Sequence, residues 1–193
     1  MTGYRLLMLA LALIAGSSGY IAHQLTSHAQ QPPVNGVSNP IPDAAAAGSN
    51  PEPGALFSNS FSDPEGVQRR LAEWRAPVLV INFWATWCPP CLREIPALNR
   101  LQARYVDKGV RFLGIALDQR AAVQDFLRTH EMTYPVLFGD EAVAQLMVKL
   151  GNTVGGLPFT VIVDEQGQAR FAHAGEVSEK QLEAALVEIV STH

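Results

Sequence analysis

The chain has 193 residues, 48% of them apolar and 17% charged, with a formal net charge of −4 and two cysteines. Two cysteines three positions apart cannot staple a disulfide-dense scaffold, and an acidic balance speaks against a nucleic-acid binder, which carries a basic excess. Charge is unevenly placed: no Lys or Arg lies between Leu6 and Gln68, while residues 55–193 hold 13 of the 14 basic and 16 of the 18 acidic side chains. One domain over 55–193 is expected, long enough to bury about 68% of its unfolded surface without staples.

In chain order, Arg5 precedes an unbroken apolar run over residues 6–15, and Gly16, Ser17, Ser18 and Gly19 follow, which is the pattern of an export signal. Residues 1–27 are read as a signal peptide or an N-terminal membrane anchor; extended to Ala22 the run reaches about 17 residues, the lower limit for a spanning helix, which tips the reading towards an anchor. With Arg5 on one side and no further basic residue until Arg69, the N-terminus is expected inside and the domain outside. Residues 28–54 contain six prolines among Ala, Asn, Ser and Gly, the composition of an extended, disordered tether.

From Leu56 onward the pattern alternates strand and helix. Residues 77–84 form a near-continuous apolar run, as in a strand buried on both faces. A helix over about 88–108 follows, with Leu92, Ile95, Leu98, Leu101 and Tyr105 inward and Pro96 placed to kink it. A strand over 110–117 leads to Asp118, expected to cap a helix that buries Val123, Phe126 and Leu127. Residues 135–138 read as a short strand, and Asp140 as the cap of a helix with Val143, Leu146, Met147 and Leu150 inward. Residues 159–163 and 169–174 form a hairpin around Asp164-Glu165-Gln166-Gly167. A capping box of Ser178 and Gln181 opens the last helix, which buries Leu182, Ala185, Leu186, Ile189 and Val190. The order implies an α/β fold, a central mixed sheet with helices on both faces.

The chemistry concentrates in Trp87-Cys88-Pro89-Pro90-Cys91, where a buried strand gives way to a helix. An exposed nucleophile is expected at Cys88, because the positive end of a helix and its free N–H groups favour the thiolate. Cys91, one turn on, can close or resolve a disulfide. A zinc site lacks a second cysteine pair, and His130 and His173 have no ligand spacing. A purely structural disulfide closes too short a loop to constrain the unfolded chain.

The segment Asn82-Phe83-Trp84-Ala85-Thr86-Trp87-Cys88-Pro89-Pro90-Cys91-Leu92-Arg93-Glu94-Ile95-Pro96 resembles the active site of the thioredoxin superfamily, in particular its exported TlpA/ResA-like branch. Gly156-Leu157-Pro158-Phe159-Thr160, ahead of a strand, is similar to the cis-proline loop of that superfamily. The resemblance covers the chain from about Leu56 to its end. It implies a thioredoxin-like fold, a cis Pro158 beside the cysteines, and a Leu157 backbone left open to pair with a substrate strand. Cytoplasmic thioredoxins keep an acid where this chain has Asn82, which cannot accept a proton. Glu94, a position where the branch carries a carboxylate, is expected to accept the Cys91 proton or to touch substrate; the alternative is an ordinary solvated helix glutamate. Pro89 and Pro90 occupy the first helical positions without N–H groups, leaving mainly the Cys91 amide and the helix dipole to stabilise a Cys88 thiolate. Only a moderate lowering of its pKa follows, favouring a reductant over a strong oxidant. Trp84 is read as core. Trp87 is read as part of a substrate-facing rim, with packing of the strand end as the alternative. Gly155 and Gly156 either admit a partner backbone or make a plain turn.

These readings describe a thiol-disulfide oxidoreductase with catalytic Cys88, Cys91 and Glu94, and substrate contacts from Trp87, Pro89, Pro90, Leu157 and Pro158. It would be a monomer on the periplasmic side of a bacterial cell envelope, reducing disulfides in exported proteins. The resemblance implies cytochrome c maturation or copper-site assembly as pathways. No flavin or nicotinamide motif is visible, so the Cys88–Cys91 couple would be the redox group and a membrane thiol protein the electron donor. The alternatives are a DsbA-like oxidant, or a module that holds Cu(I) on the two thiolates for delivery.

Overall fold

A computed structural model describes residues 54–139 and 141–192. The expected signal or anchor over 1–27, nearly all of the tether over 28–54 and the expected cap at Asp140 lie outside the described residues. Within them, a seven-stranded sheet runs in the order β2-β1-β5-β4-β3-β6-β7. Its strands are β1 (Ser60–Ser62), β2 (Gln68–Arg70), β3 (Val78–Trp84), β4 (Val110–Ala116), β5 (Val136–Phe138), β6 (Phe159–Asp164) and β7 (Ala169–Ala174). β3 pairs parallel with β4, and β4 with β5, whereas β6 is antiparallel to both β3 and β7. The helices are α1 (Pro89–Tyr105), α2 (Arg120–Thr129), α3 (Glu141–Lys149) and α4 (Glu179–Ser191).

β3 holds the centre because all seven of its residues are buried, which only an apolar run flanked by paired strands and covered on both faces can sustain. Its alternate side chains serve two cores. Leu79, Ile81 and Phe83 pack with Leu113, Ile115, Val161 and Val163 under α3, joined by Leu56, Phe57, Phe61 and Leu71. Val78 and Val80 pack with Phe112 and Ile162 against Leu98 and Leu101 of α1 and Leu182 and Leu186 of α4. The helices therefore cover both faces, as the strand and helix order implied.

The structure refines the local expectations at four points. α1 runs through Pro96 and ends at Tyr105, short of the expected 108, where a 3-10 turn, Val106–Lys108, takes over. Asp118 does not cap α2: Gln119 holds the cap position, and the Asp118 carboxylate is engaged by Thr86 instead. Only half of the capping box forms at Ser178, whose Oγ accepts from the Gln181 N–H at 3.2 Å, while the Gln181 side chain turns to His173. The β1–β2 hairpin is an addition that hydrophobic periodicity could not find, because β2 is entirely exposed. Asp63 organises it, accepting from the N–H groups of Glu65 and Val67 and from Arg69 Nε. Asp63-Pro64-Glu65-Gly66 is the turn chemistry that could have signalled it.

Leu101 is fully buried between α1 and the sheet. Leu101→Ala is expected to cost about 2–5 kcal/mol, read as a lower midpoint in urea unfolding followed by circular dichroism.

Candidate active site

The end of β3, the start of α1 and the loop before β6 converge on one apolar cluster. It contains Trp84, Ala85, Cys88, Cys91, Ile95, Ala116 and Val136, with Leu157 packed against it. Cys88 and Cys91 are joined by a disulfide. Cys88 is the N-cap of α1, with Pro89 and Pro90 directly after it. Since neither proline has an N–H, the Cys91 amide is the one that reaches Cys88 Sγ, at 3.4 Å. That agrees with the expected donor count. The expected open exposure of Cys88 does not hold: it retains 4% of its accessible surface and Cys91 none, because the Cys-Pro-Pro-Cys turn is seated against the sheet end rather than projecting from it. What access remains is at Cys88.

The turn is held from both sides. Ahead of it, the Thr86 N–H and hydroxyl both donate to Asp118 Oδ2, at 2.9 and 2.5 Å, tying the loop to the end of β4. Trp84 is fully buried, whereas Trp87 is 65% exposed beside Cys88, which excludes packing of the strand end as its role. Across the site, the Leu157–Pro158 peptide is cis. Pro158 O accepts from Gly175 N, while the Leu157 backbone makes no hydrogen bond among the described residues. The preceding loop is shaped by Asn152, a buried side chain that donates to Gly156 O at 2.8 Å and accepts from Gly155 N at 3.0 Å. Gly155 has φ +68, so a turn requires it there, and Gly156 faces open space.

Glu94 departs furthest from expectation. It is 2% exposed, which excludes both the solvated glutamate and a direct substrate contact in this state. Its Oε1 accepts from Asn82 Nδ2 at 2.7 Å, and its Oε2 accepts from the Val177 N–H at 3.1 Å. Burial pushes its pKa up to about 7, against the opposing pull of these two donors. The buried Tyr134 hydroxyl is held above the ordinary phenol range, first by burial and then by the Glu94 charge. Asn82, set aside in the sequence for want of a proton-accepting group, is thus the donor that seats the carboxylate. Asp118, Asn152 and Val177 were missed as well. Asp118 was read only as a helix cap, Asn152 had a faint signal as a polar residue shortly before the Gly156–Thr160 segment, and Val177, acting through its backbone, had none.

A mixed sheet with a helix-capping Cys-Pro-Pro-Cys disulfide facing a cis-proline loop defines the class of thioredoxin-like thiol-disulfide oxidoreductases. A family model described as Redoxin matches residues 37–186, and the chain belongs to that family. It is 32% identical over 130 residues to the thiol-disulfide oxidoreductase ResA of Bacillus cereus, covering 66% of this chain and 72% of that protein. To the thioredoxin-like protein YneN of Bacillus subtilis (strain 168) it is 31% identical over 131 residues, covering 66% and 74%. The crystal structure of a thioredoxin-related protein from Neisseria meningitidis serogroup B superposes with a TM-score of 0.62 at 34% identity, covering 70% of this chain and 100% of that one. The protein is a thiol-disulfide oxidoreductase with a thioredoxin-like fold.

The raised pKa of Glu94 has a thermodynamic sign. The folded protein holds a proton on Glu94 up to about pH 7, while the unfolded chain releases it near the ordinary 4.5. The folded state therefore binds more protons in that window, and this group's contribution to stability falls as pH rises from about 4.5 through 7. At about 1.4 kcal/mol per pH unit the full loss is on the order of 3 kcal/mol. Glu94→Gln should remove this slope, so denaturant unfolding of the two proteins across that pH range is expected to show the variant gaining on the wild type as pH rises.

Proposed function

We propose that this oxidoreductase acts in the cell envelope, on the outer side of the membrane, as a reductant of disulfides in exported proteins. The observation that carries the direction of electron flow is the single N–H, from Cys91, that reaches Cys88 Sγ across two prolines. A site with so few donors stabilises a thiolate only moderately, and a dithiol whose thiolate is not strongly stabilised gives up its electrons more readily.

In the reduced form, the Cys88 thiolate attacks a client disulfide and forms a mixed disulfide, expelling one client thiolate. Cys91 then gives its proton to Glu94 and attacks Cys88 Sγ; the bond from Cys88 to the client breaks, and the second client sulfur leaves as a thiolate. The client gains two electrons and the Cys88–Cys91 disulfide is restored. The residual exposure at Cys88 against none at Cys91 supports these roles. So does Glu94, one turn beyond Cys91 and with a pKa of about 7, where a carboxylate can both take and return a proton. Trp87, Pro89 and Pro90 form the rim that a client meets, and the Leu157 backbone beside cis Pro158 pairs with an extended client segment. The domain works as a monomer, held at the membrane by residues 1–27, and is re-reduced by a membrane thiol protein. Clients in cytochrome c or copper-site assembly fit a reductant placed there.

A Cys91→Ser variant is expected to accumulate mixed disulfides through Cys88 with exported proteins, seen as reductant-sensitive bands on non-reducing gels. The potential of the Cys88–Cys91 couple is expected below about −200 mV; a value near about −120 mV would make the protein an oxidant and overturn the reductant reading.

A further inference from the structure

The Asn82 side chain is buried to 1% exposure on β3, opposite Thr160 of β6. Its Nδ2 donates to Glu94 Oε1 at 2.7 Å and to Thr160 Oγ1 at 3.0 Å, so both amide hydrogens are used. Its Oδ1 has no partner among the described residues. Turning the amide over would set an oxygen against the carboxylate oxygen and leave two buried donors without partners in place of one acceptor, so the observed orientation is the favoured one. A buried acceptor left unsatisfied is costly and calls for a reason.

We propose that Asn82 is a positioning residue for thiol exchange: clamped by Thr160, its amide holds the Glu94 carboxylate one turn beyond Cys91 and opposes the burial that favours its neutral form, so that it can accept the Cys91 proton. This rests on the proton-accepting role of Glu94 argued above. The step it assists is the closing one, in which the Cys91 S–H proton passes to Glu94, the Cys91–Cys88 bond forms and the bond from Cys88 to the client breaks.

An asparagine suits the position for a chemical reason. An aspartate at 82 would bring a second carboxylate to hydrogen-bond distance, and the pair would share one proton and lose the free base. An aliphatic residue would leave Glu94 with the Val177 N–H as its only donor and drive the carboxylate towards its neutral form. The titratable groups that act on Glu94 or feel its charge are Glu176 in the β7–α4 loop and Tyr134 ahead of β5, while the Cys91 thiol lies one turn earlier on α1. Glu176 is held by Arg93 in an exposed ion pair, and its charge, like burial, opposes ionisation of Glu94. Tyr134 remains a neutral phenol at any working pH. Asn82 and the Val177 N–H are the two groups that favour the charged carboxylate.

The test uses the full-length reduced protein mixed with an aromatic disulfide such as dithionitrobenzoate. The second release of aromatic thiol reports Cys91 closing on Cys88, and its rate is followed against pH in the wild type and in Asn82→Ala, Thr160→Val and Glu94→Gln. Loss of the amide donor is expected to move the midpoint of the rate profile up by about one pH unit, making the closing step about tenfold slower on its acid side. Thr160→Val should move it the same way by less. An Asn82→Ala protein with a normal melting transition and an unmoved midpoint overturns the proposal if Glu94→Gln does displace the profile. An unmoved profile in Glu94→Gln overturns the proton-accepting role of Glu94 itself, and this inference with it. Should Asn82→Ala fail to fold, Thr160→Val decides, and an unmoved midpoint there overturns the proposal.

Discussion

One buried carboxylate organises the active-site side of this domain. Glu94, on α1, is removed from water between the central strand and the loop leading into α4, and an ion in that position survives only if donors meet it. Those donors come from distant parts of the chain: Asn82 on the central strand and Val177 in the loop that starts the last helix. Satisfying one charge therefore fastens β3, α1 and the approach to α4 to one another. The disulfide at the start of α1 inherits its position from that fastening, because Cys91 lies one turn before Glu94 on the same helix.

The same arrangement separates two tasks that a cysteine pair must combine. Electrophilic support for the Cys88 sulfur is thin, limited by the two prolines to the Cys91 amide. The proton acceptor we propose, Glu94, lies deeper, and its own burial brings its pKa to about 7. On that proposal, thiolate stability and proton transfer are governed by different residues. The loop before Cys88 is secured independently, by Asp118 through Thr86.

Much of the fold was legible in the sequence, for identifiable reasons. The apolar run at β3, the three- and four-residue spacing in α1 and the hairpin signal after β6 each follow from local periodicity, and they lead to a mixed sheet covered on both faces. The cysteine pair was legible because few other arrangements of two cysteines make chemical sense. What could not be read depended on long-range geometry. A glutamate next to an arginine near the start of a helix looks solvated until the fold closes over it, and no pattern along the chain reveals that a backbone N–H 83 positions later will meet it. Asn82 was misjudged for the same reason, since its value lies in what it donates to. The β1–β2 hairpin was hidden because an exposed edge strand of three residues has no apolar alternation to display.

Along the surface seam of α1 and α4, Arg93 pairs with Glu176, Arg100 with Glu179, and Arg104 with Glu179 and Glu183. Exposed pairs of this kind each add only about 0–1 kcal/mol, so the row is a poor explanation of stability. Its order matters more, because the partners ascend together in both segments. Sliding one helix by a turn would offset every rung at once, and the amide of Val177, next to Glu176 in the chain, would no longer fall on the carboxylate beneath it. One register of the two helices thus meets both kinds of charge: the row in water, individually weak, and the carboxylate out of it.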